Sequence, residues 1–342
     1  KAGASEGFGP RLRPAEKVEI DEEGEHVPPR RPEDPDDEEP DDPDDDVIHL
    51  HAAAFDYQVP ETVDEAITAL TDNPGEGKLI AGGHSLLPMM KLRLARPGTV
   101  IDIGGIQELK GISVDNGTLR IGALTTHAEI ASSSQVQSAA GILGETAQGI
   151  GDPQVRNRGT IGGNVSHADP ASDLPTVLKA MNATFNIQGQ GGSRTVSADD
   201  FFIGAFSTAL GDNEILTGVE IPVLAEHQLA EYAKMSHPAT SFAIVGAAAV
   251  VTMDHHNHHT CTAARVAVGG LTPTPTRAPS VEQALAGQEL TEATITAAAN
   301  LVVNDVGQDI IGDIFASAEY RKAMAAIELK HAIFHATGLA HH

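Results

Sequence analysis

The sequence predicts an α+β protein of two domains, on three observations. The chain has 342 residues, room for two domains at roughly 150 residues each. Strand-like runs alternate with segments of helical period as far as residue 221, whereas beyond residue 240 strands come first and helices follow. Residues 222–228 separate the two patterns and are the expected boundary.

Composition narrows the function classes. Acidic residues number 48 against 22 basic, a formal charge of -26. Residues 1–46 hold 18 acidic and 6 basic side chains and 8 of the 20 prolines. Within it, residues 28–46 repel one another and have nothing apolar to bury, so residues 1–49 are expected to be a disordered acidic tail, a solvating linker or a docking tail for a basic partner. The remaining acidity excludes a basic nucleic-acid surface. Cys261 is the one cysteine. It rules out a disulfide framework, and also an iron–sulfur cluster ligated within this chain, which needs about four thiolates. No apolar run approaches the roughly 20 residues of a membrane span, and a soluble intracellular (cytoplasmic) protein is expected.

The elements follow in order. Val63, Ala66, Ile67 and Leu70 recur at helical spacing. Residues 78–81 read as a strand running into Gly82-Gly83-His84-Ser85, and 86–95 as a helix with Pro88 tolerated in its first turn. A strand at 99–103 precedes a hairpin, 111–114 and 118–123, turned at Asp115-Asn116-Gly117. Helical pattern resumes at His127. Residues 149–175 are so rich in glycine, proline and turn-formers that a long ordered loop is expected, and such loops commonly bind something. Strands at 183–188 and 194–196 flank a GQGG turn, and 214–221 closes the first domain. Beyond the boundary come strands at 241–253 and 263–268, a Pro/Thr-rich turn at 272–279, and helices around Val281, Ile295 and residues 318–336.

Two Gly-Gly loops carry the chemistry: Ala81-Gly82-Gly83-His84-Ser85 between strand and helix, and Thr160-Ile161-Gly162-Gly163-Asn164 within the long loop. Neither is GxGxxG. Missing β-carbons let backbone amides approach a diphosphate, and a helix start adds unsatisfied N–H groups. Micromolar binding needs about 8 kcal/mol. Four charge-assisted hydrogen bonds give roughly 6 to 12 before ordering costs, so one loop is marginal and two loops with a buried ring system suffice.

These segments resemble the flavin-binding medium subunit of molybdenum hydroxylases, with the carbon monoxide dehydrogenase type nearest. The likeness is carried by AGGHSLLPMMKLRLARPGTVIDIGGI at 81–106, IGDPQVRNRGTIGGNVSHADPASDLP at 150–175 and ASAEYRKAMA at 316–325, and extends over about 55–334. It implies a two-lobed PCMH-type, vanillyl-alcohol-oxidase-like FAD-binding domain over 50–225, with lobes of about 50–106 and 107–225. A small α+β domain of the CO dehydrogenase flavoprotein type would follow over 226–337, and a tail over 338–342. It also implies that Ile80, Ala81, Gly82, Gly83, His84, Ser85, Leu86, Ala123, Gly159, Thr160, Ile161, Gly162, Gly163 and Asn164 line the FAD site. Asp173 is expected to cap a helix or reach the flavin nucleotide. Lys234 is expected beside the ring or on the surface. Phe242 is expected in the core, with cover of a ring face as the alternative, and Arg156 and Arg158 either meet phosphate or stabilise the loop.

The same resemblance implies a division of labour. A large partner would hold a molybdenum-cytosine-dinucleotide cofactor, a small partner two [2Fe-2S] clusters, and the assembly would be a dimer of heterotrimers. This chain's FAD would pass electrons to a quinone or cytochrome, placing it in the cytoplasm, at most peripheral to the inner membrane face. Other substrates (aldehyde, xanthine, aromatic) and a scaffold with an empty flavin site are the alternatives. No catalytic acid–base residue is expected: an electron relay gives His167 and Asp169 no substrate proton to move. The histidine run at 255–259 lacks the spacing of a preformed metal site and reads as a hairpin turn, with no metal expected. Cys261 reads as a small strand residue.

Overall fold

The computed structural model describes residues 52–257 and 259–339; the acidic segment 1–49, His258 and the last residues of the 338–342 tail lie outside them. The elements in chain order are β1 (Asp56–Gln58), α1 (Val63–Asp72), β2 (Gly77–Ile80), α2 (Leu86–Lys91), β3 (Thr99–Asp102), β4 (Ile112–Asp115), β5 (Thr118–Gly122), α3 (His127–Ser132) and α4 (Ser134–Gln148). Then come α5 (Pro153–Arg156), α6 (Ile161–His167), α7 (Asp173–Ala180), β6 (Thr184–Gly189), β7 (Gly192–Ser197), α8 (Ala198–Phe201), β8 (Phe202–Gly204), β9 (Ser207–Thr208) and β10 (Glu214–Pro222). Last are β11 (Gln228–Ser236), β12 (Ala243–Met253), β13 (Cys261–Gly269), β14 (Thr276–Arg277), α9 (Pro279–Leu285), α10 (Glu292–Ala299) and α11 (Ala318–Thr337).

Among the described residues, three sheets of three or more strands organise the α+β fold, beside the short pair β8-β9. The first, in order β1-β3-β2, is wholly parallel. Helix α1, capped by the Thr62 hydroxyl, buries Val63, Ala66, Ile67 and Leu70 in a small core with Ile101, Ile103 and Ile106. The second, β4-β5-β10-β6-β7, is antiparallel. Its first hairpin turns at Asn116 and Gly117, both at positive φ, as a two-residue turn between twisted strands requires. Leu119, Ile121, Phe185 and Val219 pack with α4 and α7, and Phe185 stacks on Phe201 at 4.1 Å.

The third sheet, β11-β12-β13-β14, explains the unbroken apolar run of β12. Ala248 and Val250 join the core that holds Val177 and Leu178 of α7, whereas Val245, Ala247, Ala249 and Val251 join the core of α9, α10 and α11. Alternate residues thus serve two cores, and a strand buried on both faces has no polar side. Within the ASAEYRKAMA segment, Arg321 is 5% exposed. It donates to the Ile244 and Gly270 carbonyls and pairs with Asp313, fixing the ends of β12 and β13 against α11.

Three expectations are corrected. The helix expected over 86–95 stops at Lys91, because Arg93 turns left-handed at φ +57° and the Leu94 and Ala95 N–H groups return to the Met89 carbonyl. The long loop expected over 149–175 contains α5, α6 and the start of α7, each begun at a polar residue: Asp152 and Thr160 cap with their side chains, and Ser172 occupies the third cap position. Strand β11 was not anticipated, since its Ala, Glu and Lys content carries little strand propensity.

Candidate functional site

The first glycine loop begins where β2 ends, at Ile80. Gly83 takes φ +76°, and a Cβ there would lie 2.9 Å from the Leu87 side chain. Among the described residues, nothing accepts from the N–H groups of Gly82, Gly83, His84 and Ser85. His84 is exposed, and its Nδ1 lies 3.0 Å from the Gly82 carbonyl. Ser85 precedes α2 without capping it, and Leu86 is half-buried.

The second loop is the start of α6. The Thr160 hydroxyl accepts from the Gly163 N–H at 3.1 Å, the Ala123 carbonyl from Gly162 at 2.8 Å and the Thr125 carbonyl from Ile161 at 3.0 Å. Of the residues Thr160 to Asn164, Thr160 alone keeps a backbone N–H with no acceptor among the described residues. Gly162 has no alternative: a Cβ there would lie 2.6 Å from both the Cβ and the carbonyl oxygen of Ala123.

The fold presses these loops together. A Cβ on Gly82 would lie 1.9 Å from the Arg158 carbonyl oxygen and 3.0 Å from the Gly159 Cα, and one on Gly163 would lie 4.0 Å from the Ala81 Cβ. Segments separated by nearly 80 residues therefore meet backbone to backbone, at a place where any side chain would fill the gap. Five amides have no acceptor there among the described residues, a set of donors suited to an anionic group. Four belong to the first loop. The second contributes mainly absent side chains.

Around the junction, Asn164 accepts from the Ser172 hydroxyl at 2.8 Å, so Ser172 at the start of α7 reaches the loop instead of capping its own helix. The next residue, Asp173, is 5% exposed. Both its oxygens are engaged: Tyr232 donates to one and Lys234 to the other, each at 2.7 Å. Burial pushes the Asp173 carboxyl up, opposed by the Lys234 charge and the Lys234 and Tyr232 hydrogen bonds. Lys234 also donates to the Ser241 carbonyl at 2.9 Å and the Gly149 carbonyl at 3.2 Å. Tyr232 reaches Asp173 because Gly246 on β12 has no side chain; a Cβ there would stand 2.1 Å from the hydroxyl. The structure thus pairs Asp173 and Lys234 with each other.

Other candidates sort themselves. Arg156 donates to the Ile150 and Gly151 carbonyls and stabilises its loop. Arg158 is exposed, and no described residue accepts from its guanidinium. Phe242 is 47% exposed, outside the core where packing was expected. His167, half-buried, lies against Phe206 at 5.1 Å, while Asp169 accepts from the Ala171 N–H. Among the described residues no group of three metal-ligating side chains gathers. Asp254 instead holds the turn of the histidine run through the His256 and Asn257 N–H groups. Burial pushes the Cys261 thiol up to about 11. Two cavities, of about 410 and 400 Å³, are lined by none of the candidate residues.

Sequence reasoning missed His127 and Tyr232. His127 lies at the start of α3, 3% exposed, its N–H donating to the Gly159 carbonyl at 3.0 Å. Burial, aided by the charge of nearby His84, pulls its imidazole down to about 4. Tyr232 is two residues before Lys234, hence on the same face of β11, a signal that exists only once β11 is recognised as a strand.

A parallel strand leading into a glycine loop whose amides have no described acceptor, close to a second glycine-led helix start, is an arrangement that can hold a nucleotide diphosphate. Comparison with known proteins specifies it. Residues 53–224 match the FAD binding domain in molybdopterin dehydrogenase, and residues 230–336 the CO dehydrogenase flavoprotein C-terminal domain. The chain is 38% identical to the carbon monoxide dehydrogenase medium chain of Hydrogenophaga pseudoflava, over 82% of this chain and 96% of that one. It is 36% identical to the 6-hydroxypseudooxynicotine dehydrogenase complex subunit alpha of Paenarthrobacter nicotinovorans, over 78% and 89%. A solved structure of the Hydrogenophaga pseudoflava carbon monoxide dehydrogenase lacking the Mo-pyranopterin moiety superposes with a TM-score of 0.81, covering 84% of this chain and 99% of the matched one. The chain belongs to the FAD-binding medium-subunit family of molybdenum hydroxylases, and is an oxidoreductase flavoprotein subunit with FAD as its cofactor.

Proposed function

We propose that this chain is the flavin subunit of a carbon monoxide dehydrogenase-type hydroxylase, taking electrons from iron–sulfur clusters on a small partner and passing them to a quinone or cytochrome. The observation that carries the reading is the close approach of the Gly82 backbone to that of Arg158 and Gly159, with Gly163 beside Ala81, next to five amides without a described acceptor. We assign those amides to the FAD diphosphate, and Gly163 and Ala81 to the close approach of its backbone. When bound, FAD supplies the chemistry that lets single electrons and pairs be exchanged. The protein's part is positioning: the Ser172 and Asn164 bond fixes the second loop, and the Asp173, Tyr232 and Lys234 group fixes the edge beside it. Lys234, held on Asp173 and on the Ser241 and Gly149 carbonyls, would supply a cation to the bound flavin. With a single, buried cysteine, this chain leaves cluster ligation to another subunit, and substrate oxidation to a large molybdenum partner in a dimer of heterotrimers. No described helix is long and apolar enough to cross a membrane.

A second substrate class has a specific observation in its favour: the pyridine-alkaloid relative is nearly as similar as the carbon monoxide one, 36% against 38%. Purified full chain is expected to show a flavin band near 450 nm with on the order of one FAD per chain, as flavoproteins of this type do. Gly163→Val places a branched side chain against Thr160 and Ala81 and is expected to abolish FAD retention with the far-UV circular dichroism unchanged. Unchanged flavin content in that variant defeats the diphosphate assignment.

A further inference from the structure

One polar group at the junction is unaccounted for. His127 is almost wholly buried, Nδ1 is sealed from solvent, and no described residue bonds to either ring nitrogen. Native proteins rarely leave a buried imidazole without a partner. The residue is also rigidly placed. Thr126 and Glu129 form a reciprocal cap around it, Thr126 bridges to Thr160, and its own N–H holds the Gly159 carbonyl. Its Cδ2–Nε2 edge faces Gly159: a Cβ on that glycine would come within 2.9 Å of Cδ2 and 3.0 Å of Nε2. Gly159 lies between Arg158, whose carbonyl abuts Gly82, and Thr160, whose N–H is free. The Cδ2–Nε2 edge of the ring therefore lies against the segment where the two loops meet.

We propose that His127 is a further binding residue of the flavin site, its neutral imidazole donating from Nε2–H to an oxygen of the FAD diphosphate. Placing the proton on Nε2 leaves only a lone pair at the sealed Nδ1, the less demanding orphan. Burial and the neighbouring His84 both disfavour a second proton, which keeps the ring in the neutral donor form. The contact adds a side-chain donor to the five backbone amides, on the second loop's side, where backbone donors are scarce. This inference rests on the flavin reading given above.

The test uses the full chain, with FAD and ADP dissociation constants measured by equilibrium dialysis for wild type, His127→Phe and His127→Gln. Phenylalanine keeps the ring and removes the donor, whereas glutamine keeps an N–H near the Nε2 position. His127→Phe is expected to weaken both FAD and ADP roughly 10- to 100-fold, the range of a hydrogen bond to a charged group. His127→Gln is expected to stay within about threefold of wild type, because it restores the donor. His127→Leu takes the place of phenylalanine if urea denaturation shows that the latter unfolds the chain. Wild-type affinity in the donorless variant overturns the proposal. So does an FAD loss that ADP does not share, or a glutamine variant as weak as phenylalanine. If wild type itself takes up neither FAD nor ADP, the flavin reading has failed first, and this inference falls with it.

Discussion

At the scale of single residues, the site depends on groups whose partners come from distant parts of the chain. Asp173 is held by Tyr232 and Lys234 across about 60 positions. Asp173→Ala is expected to cost about 3 to 5 kcal/mol in urea unfolding, because it removes one member of a buried, hydrogen-bonded charge pair. Tyr232→Phe, which removes one neutral donor to a carboxylate, should cost about 1.5 to 3 kcal/mol. His127 gives a pH signature. Its folded value near 4 lies below the unfolded value of 6.5, so the unfolded chain binds the proton first and stability falls as pH drops from about 6.5 to 4. Wild type should lose about 3 kcal/mol relative to His127→Gln over that window, since each tenfold difference in proton affinity between the two states is worth about 1.4 kcal/mol. Urea midpoints at pH 7 and pH 4.5 check this; parallel pH profiles for the two proteins contradict it. The glycines were legible in the sequence because their chemistry is local and written in consecutive letters. His127 was not: nothing in Thr-Thr-His-Ala-Glu shows that the ring will lie under Gly159, 32 residues later.

At the scale of elements, legibility followed the range of the forces involved. The Asn116-Gly117 hairpin was readable because two adjacent residues in the left-handed region make the turn by themselves. Residues 149–175 were misread because glycine at 162 and 163 argues against a helix on propensity, by about 1 kcal/mol each. Tertiary fit overrides that: Gly162 is where α6 rests on Ala123. Gly162→Ala should therefore gain helix propensity yet lose about 1 to 3 kcal/mol overall, since the new methyl overlaps a buried backbone. Chemical denaturation decides the sign, and a stabilised variant would mean that α6 can lift away from β5 at little cost. Strand β12, by contrast, announced itself through Val and Ile, while β11 beside it, carrying the Tyr232 and Lys234 that matter, did not.

At the scale of the molecule, the charge of -26 divides into a segment of 18 acidic and 6 basic residues at the start and a more moderate remainder of 30 and 16. A dinucleotide approaching this remainder is repelled at long range and held at short range. Raising salt from about 50 to 300 mM should leave the FAD dissociation constant within about twofold and speed association, as the Debye length shrinks to within about 6 Å. A steep weakening with salt would instead point to lysine and arginine contacts. The sharing of α7 between the first core and the inner face of β12 and β13 has one more outcome. A protease cutting the exposed link between β10 and β11 would sever the chain and not the protein. The two fragments, joined where Ala248, Val250 and Ala267 of the second pack into the core that holds α7 of the first, should elute together from gel filtration and separate only in denaturant; fragments that elute apart would show that this contact alone does not hold them.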